Sequence, residues 1–174
     1  MSSIIKVNTY QDANGNALFS SDGSGNVTLS ASGMQNTPAF HAQKTSNQSI
    51  SNDTETLVSF DTKLFDTDNA FDNSSTYRFT PQTAGKYYIY FNMRLNTSTD
   101  FEVNEIRVQK NGSTIAEKTW RQFYFDGKYI GVVVDLNGSS DYVNVDFYQS
   151  SGGSLDISGI SNITYFGGYR LIGV

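Results

Sequence analysis

The alternation of apolar and polar positions is sharpest between Gly85 and Leu95. Tyr87, Ile89, Phe91, Met93 and Leu95 hold one phase of a two-residue period, and Lys86, Tyr88, Tyr90, Asn92 and Arg94 hold the other. That period predicts a β-strand with one face in a core. The second face is unusual for a surface that meets only water. Two tyrosines beside Asn and Arg suit contact with a further protein layer.

The same reading extends along the chain. Phe40 and Ala42 share one face of a short strand that also carries His41, and Ile50 marks a minor strand inside the polar stretch 45–56. Val58, Phe60 and Leu64 fall at even positions with Thr62 between them, which predicts one strand. Residues 66–75 read as an acidic, amide-rich loop around Phe71. Tyr77 and Phe79 alternate up to Pro81, which has no N–H to give a ladder. Ile106 and Val108 lead to Asn111-Gly112, the strongest short hairpin signal, and the return strand carries Ile115 on to Trp120. Phe123 and Phe125 alternate with Tyr124 before the Asp126-Gly127 turn. Ile130, Val132, Val134 and Leu136 form another strand, turned by Asn137-Gly138 into Val143, Val145 and Phe147. The last twelve or so residues are too apolar to dangle, and Gly167 and Gly168 leave room for a backbone or an aromatic ring to come close. No segment has a helical period. About ten short strands separated by turn signals predict an all-β sandwich or barrel, with a jelly roll foremost.

Residues 1–37 have a different texture. Ile4, Ile5, Val7 and Tyr10 make a short apolar opening, Asn14-Gly15 and Asp22-Gly23-Ser24-Gly25 are turn signals, and Val27 and Leu29 alternate with polar neighbours. Strands so short and few do not bury a core alone. The reading is an anchoring arm or slender shaft over 1–37, ordered against sister copies or a larger assembly, followed by a globular head over 38–174.

Composition narrows the classes of function. Aromatic residues make up 14% of the 174 residues, enough for a sizeable core, while charged residues are only 17%, below the usual quarter or so. Asn, Ser, Thr and Gly fill the difference. The formal charge is −5, and no basic stripe exists to bind nucleic acid. No run reaches the ~20 apolar residues of a membrane span. The opening lacks a signal-peptide pattern, so synthesis in the cytoplasm is expected. Cysteine is absent, which rules out disulfides and thiolate metal sites.

Candidate chemistry is sparse. The single histidine, His41, would have to serve any Ser-His-Asp site, and its position on a strand beside Phe40 argues for structure. The acidic residues around 61–72 show no cleft of the kind a pair of glycosidase carboxyls needs. Asp66-Thr-Asp68-Asn69 presents hard oxygen ligands that calcium prefers, with Asp66 and Asp68 as ligands, but lacks the Gly and closing Glu of an EF-hand loop. The alternative is a solvated turn using Asp and Asn for local hydrogen bonds. No other cofactor is expected. Trp120, Arg121, Phe123 and Tyr124 could stack on sugar rings, or complete the core and a lateral contact.

Several of these stretches in order carry a family resemblance. Phe40 near Pro38, Val58-Ser-Phe60-Asp61, Phe71-Asp72, Tyr77-Arg-Phe79-Thr-Pro81, Gly85-Lys-Tyr87-Tyr-Ile89, Lys110-Asn111-Gly112, Asp141-Tyr142-Val143 and Tyr165-Phe166-Gly-Gly168-Tyr169-Arg-Leu171 resemble the C1q-like domain of the tumour-necrosis-factor-like jelly rolls. The leader, from Ile4-Ile5-Lys-Val7 through Ser-Asp22-Gly-Ser-Gly-Asn-Val27, looks like the start of short structural proteins of marine bacteriophages. The resemblance implies a ten-stranded jelly roll assembled as a homotrimer on a virion surface. It places Tyr88, Tyr90, Tyr169 and Arg170 against sister subunits. It also implies a non-enzymatic protein, joined to capsid or tail proteins through its arm and displaying the head to a host surface glycan or receptor. The alternative is a capsid decoration protein that stabilises the shell without a ligand.

Overall fold

The computed structural model describes residues 7–30, 34–96, 103–121 and 127–174. Three strands open the described chain: β1 (Thr9–Gln11), β2 (Ala17–Ser21) and β3 (Val27–Leu29), an antiparallel meander in that order. Both connections are five-residue turns organised by an aspartate. Asp12 accepts hydrogen bonds from the amides of Asn14 and Asn16 and from the Asn16 side chain, each at 2.9 Å. Asp22 does the same with Ser24 and Asn26. The Asn side-chain bond is the main reason that each carboxyl is held below its ordinary value. Tyr10 and Phe19 stack at 5.2 Å with planes 3° apart. Yet Val7, Tyr10, Val27 and Leu29 stay exposed, because this sheet has no second layer.

The head is a sandwich of two antiparallel sheets. The first contains β4 (Ala39–Gln43), β7 (Thr62–Asp66), β8 (Gly85–Met93), β11 (Lys128–Leu136) and β14 (Tyr165–Arg170), in the order β11-β8-β14-β4-β7. The second contains β6 (Thr56–Leu57), β9 (Asn104–Lys110), β10 (Ser113–Trp120) and β12 (Val143–Gln149), in the order β10-β9-β12-β6. A small ladder of β5 (Gln48–Ile50) with β13 (Leu155–Ile157) stands beside them. The described residues contain no α-helix.

The apolar phase read from the sequence is the phase that faces inward. Tyr87, Ile89, Phe91 and Met93 are fully buried on β8, opposite Ile106 and Val108 of β9 and Val143, Val145 and Phe147 of β12. Phe40 lies at the centre, stacked on Phe79 at 4.4 Å and Phe71 at 4.8 Å and edge-on to Phe166 at 4.9 Å. Each such phenylalanine contributes about 1.5–3 kcal/mol by leaving water. At Asn111-Gly112 both residues take positive φ, 52° and 80°, which matches the twist of the hairpin between β9 and β10.

Three expectations need correction. Val58, Phe60 and Leu64 do not share a strand: β6 ends at Leu57, the chain crosses through buried Val58 and Phe60, and β7 starts at Thr62 in the other sheet. Leu64 is 54% exposed, since β7 is an edge strand. Tyr77 and Phe79 form no extended strand either. Tyr77 has φ of 50°, and only Phe79 pairs, bridging Phe71 and Val143. Finally, the head's strands among the described residues number eleven, β4 to β14, beside the three of the leader, with β5 and β13 forming their own small ladder. The alternation at Phe123 and Phe125 falls outside the described residues.

Candidate functional site

The outer face of the five-stranded sheet is the most distinctive surface of the head. On β8 the side chains that alternate away from the core are Tyr88, Tyr90 and Asn92. Register sets their neighbours. Tyr88 pairs with Val133 of β11 and Tyr169 of β14, Tyr90 with Gly131 and Gly167, and Asn92 with Tyr129 and Tyr165. One strand further on, His41 pairs with Gly167 and with Phe65. The face is therefore a field of aromatic rings across all five strands.

Glycines let these rings lie down. A Cβ added at Gly131 would stand 2.3 Å from the Tyr88 hydroxyl and 2.9 Å from Tyr88 Cζ. One at Gly167 would stand 2.3 Å from the Tyr90 hydroxyl and 2.4 Å from Tyr90 Cζ. Each tyrosine thus crosses the bare backbone of the neighbouring strand instead of standing upright. Tyr88 lies 6.2 Å from Tyr90 and 5.8 Å from Tyr169, and Tyr90 lies 6.2 Å from Tyr165.

Two bonds link polar atoms within the field. The Tyr88 and Tyr129 hydroxyls share a hydrogen bond of 2.8 Å, and His41 Nδ1 and the Tyr90 hydroxyl share one of 2.9 Å. Burial holds His41 below its ordinary value and pushes the Tyr90 phenol up. Burial, followed by the bond to Tyr88, raises Tyr129. Phe65, Tyr129, Val133 and Tyr169 remain exposed, and the one ion pair that the described residues form in this phase of β8 and β11, Lys86 with Asp135 at 2.7 Å, lies at the end of the two strands. The aromatic part of this surface can be covered by protein without stripping water from a charge.

Arg170 does not belong to this field. Successive residues of a strand point to opposite sides, so Tyr169 and Arg170 cannot share the face. Arg170 pairs with Tyr87 and lies over Gly85, where an added Cβ would stand 2.9 Å from Arg170 Nε. Tyr129, Tyr165, Phe65 and Val133 are members that the sequence reading did not assign. The signal was present on β11, where Tyr129 and Val133 occupy the phase opposite Ile130, Val132 and Val134.

Trp120 is half-buried and stacks on the core ring of Phe147 at 6.1 Å, while Arg121 is exposed. Phe123 and Tyr124 lie outside the described residues, as do Ile4 and Ile5 of the arm. Asp66 is a brace for its own loop. It accepts from the amides of Ala70 and Phe71 at 2.9 and 3.0 Å and pairs with Lys63 at 3.0 Å. Asp68 accepts from the Thr67 hydroxyl at 2.7 Å. Among the described residues, no three His, Cys, Asp or Glu side chains are grouped to hold a metal ion.

Solved structures share this architecture. Murine APRIL superposes with a TM-score of 0.59 at 14% identity, over 76% of this chain and 98% of that one. Eiger TNF from S. frugiperda gives 0.59 at 11% identity, over 78% of this chain and 93% of that one. The globular domain of zebrafish complement 1qA protein gives 0.51 at 20% identity, over 77% and 97%. At these identities the likeness establishes a fold. No curated protein matches the chain. Residues 39–171, most of the chain and nearly all of the sandwich, match the family model of the C1q domain, and the chain belongs to that family.

Proposed function

We propose that the protein is a non-enzymatic structural component of a bacteriophage particle, a homotrimer whose heads meet through the tyrosine field of the five-stranded sheet. The observation that carries the assembly is that field: an aromatic surface spanning five strands, in which the Tyr88 and Tyr129 hydroxyls are paired and the Tyr90 hydroxyl is bonded to His41. Exposed apolar surface on this scale marks an interaction site. Three copies around an axis form a closed arrangement in which each covers its neighbours. The sedimentation or light-scattering mass of the purified chain tests it. A mass three times the chain's is expected, and the mass of one chain at micromolar concentration overturns it.

The setting on a particle is supported by the leader. Its resemblance to phage structural proteins comes with a three-stranded sheet that exposes Tyr10, Val27 and Leu29 and lacks a second layer. In this reading residues 1–37 attach the trimer to capsid or tail proteins, and the head faces outward to contact a host surface. Removing 1–37 is expected to leave trimers in solution and abolish incorporation into particles. Particles that retain the truncated protein would place the anchor elsewhere. The decoration role without a ligand is the alternative, and binding of isolated heads to host cells separates the two.

A further inference from the structure

The loop between β7 and β8 forms a cleft of about 450 Å3 at the edge of the sandwich, within the ~300–1,000 Å3 range of small-molecule sites. Asn69, Asp72, Asn73, Arg78, Thr80 and Gln82 contribute to its wall, and no tyrosine of the aromatic field does. The loop that makes it is firmly held. Residues 70–72 and 78–80 run antiparallel, with the Asp72 amide donating to the Arg78 carbonyl at 2.9 Å and the Thr80 amide to the Ala70 carbonyl at 2.7 Å. Phe79 pairs with Val143 of β12, fixing this small hairpin to the second sheet.

Asp72, the carboxylate of the cleft wall, and the nearby Asp66 are both occupied. Asp72 accepts five hydrogen bonds, from the amides and hydroxyls of Ser74 and Thr76 and the hydroxyl of Ser75, between 2.6 and 2.8 Å. Asp66 is taken by Lys63 and two backbone amides. Lys63 in turn gives its remaining donors to the Asn69 side chain and the Phe71 carbonyl. Arg78 is different. Its guanidinium carbon sits 3.8 Å from the centroid of the Tyr142 ring. Among the described residues no carboxylate pairs with it.

A guanidinium held over an aromatic ring still has N–H donors to offer, and their fork suits a carboxylate in two-point contact. Asn and Gln side chains and a threonine hydroxyl around it offer the mixed donors and acceptors that sugar hydroxyls require. Ala70 and Phe71 also line the cleft, but both are buried, so its apolar wall is small. We infer that this cleft binds a carboxylate-bearing saccharide, with Arg78 gripping the carboxylate and Asn69, Asn73 and Gln82 meeting the ring hydroxyls. The inference deepens the display reading and rests on it for its biological setting, while the chemistry of the cleft stands by itself.

The test is a titration of the full-length protein with digalacturonic acid, followed by backbone amide NMR shifts and calorimetry, against neutral galactobiose and a glutamate-containing tripeptide. Digalacturonic acid is expected to shift amides of 69–82, and galactobiose to bind at least tenfold more weakly. Arg78→Gln is expected to weaken binding of the acid at least tenfold, with Arg78→Lys between the two. Gln82→Ala, at the exposed rim, is expected to weaken it several-fold with an unchanged melting temperature, which preserves the test if Arg78→Gln unfolds. Three results overturn the inference: no binding of the acid, equal binding by the neutral sugar, or an Arg78→Gln variant that folds and binds as before. Tighter binding of the tripeptide would also overturn it and turn the site over to acidic peptides. Failure of heads to bind host cells while digalacturonic acid still binds in the cleft would reject the display reading and leave the cleft standing.

Discussion

The two sheets of the head are alike inside and opposite outside. Both turn an apolar phase into one shared core. On the four-stranded sheet the outward phase carries Glu105, Arg107 and Gln109 on β9, Glu117 and Thr119 on β10, and Asn144, Asp146 and Tyr148 on β12. Arg107 is ringed by Glu55, Glu105 and Glu117. On the five-stranded sheet the same phase carries Tyr88, Tyr90, Tyr129, Tyr165, Tyr169, His41 and Phe65, with a single ion pair among the described residues, Lys86 and Asp135, at the end of β8 and β11. The inward phase thus sets the fold, and the outward phase decides what each sheet meets. Covering the first face would strip water from at least four charges, which a docking partner must offset. Covering the second strips water mainly from rings and hydroxyls, with one ion pair at its margin.

A charge placed in the aromatic field is the strongest way to break this contrast. Tyr90→Glu puts a carboxylate beside Tyr88, Tyr165 and His41, where a covering subunit would leave it buried and unpaired. The expected outcome is loss of the trimer, read as a threefold fall in mass by light scattering. Gln109→Glu adds the same charge to the four-stranded face and should leave the mass unchanged. A trimeric Tyr90→Glu, or a dissociated Gln109→Glu, would show that the faces had been assigned the wrong way round.

Adjacent glycines of β14 sharpen the contrast further, because their side chains would point to opposite sides. A Cβ at Gly168 would enter the core, 2.6 Å from Ile89 Cδ1 and 3.0 Å from the Tyr88 carbonyl oxygen. Gly168→Ala is expected to destabilise the fold by about 1–3 kcal/mol, as overpacking does, seen as a lower urea midpoint with unchanged slope. A Cβ at Gly167 would meet the Tyr90 ring instead. Lifting that ring breaks its bond to His41, so Gly167→Ala should weaken trimer association about tenfold while changing head stability less than its neighbour does. The reverse order of effects would argue that Tyr90 serves the fold and not the assembly.

How much of this was legible depended on period. β8, β11 and β12 alternate over seven to nine residues, and their inward residues were readable one by one. The Asn111-Gly112 turn was readable because positive φ is needed there. Val58, Phe60 and Leu64 kept the period of one strand while the chain changed sheets, since a period of two reports which side a residue faces and not which partner it pairs with. The aromatic field was half visible. Tyr88 and Tyr90 announced themselves by sitting in the polar phase of β8, and Tyr129 had the same signal on β11, but Tyr165 and Phe65 join them only through register. The glycines under the rings are a further case: Gly167 was legible as a place of close approach, whereas Gly131 is explained only by the Tyr88 ring that crosses it. Of the cleft at Arg78 only the acidic, amide-rich loop 66–75 was legible as a contact candidate; Arg78, Thr80 and Gln82 join it through a loop whose shape is set by internal carboxylate bonds.

Acid separates the faces more gently. His41 lies below its ordinary 6.5 because burial disfavours its charged form. The groups facing it are Tyr90 and Tyr165, with Phe65 from the edge strand, and none offsets an added charge. The unfolded or dissociated chain therefore binds the proton more readily, and stability rises with pH in this window. It is complete above 6.5 and declines as pH falls below that value. Asp72, held well below 3.8 by bonds from Ser74 and Thr76, and Asp141, held below it by Lys110 and Asn111, lose their contribution only in stronger acid. A melting-temperature profile from pH 7 to 5 should slope for the native protein and flatten in His41→Phe. A slope that survives the substitution would assign it to another group.

The smallest effect distinguishes the two faces by salt. Glu117 pairs with Arg107 at 3.3 Å and its side chain is 44% exposed, so Glu117→Gln should lower stability by about 0.2–1 kcal/mol at low salt. Salt at ~1 M shortens the screening length to about 3 Å and should erase the difference. Tyr129→Phe removes a neutral bond of 2.8 Å to Tyr88, worth about 0.5–1.5 kcal/mol, and its effect should be the same in low and high salt. Paired urea titrations at the two salt concentrations read both variants. If Tyr129→Phe responded to salt as Glu117→Gln does, the aromatic face would be carrying charge after all, and the physical distinction between a face built for water and a face built for protein would fail.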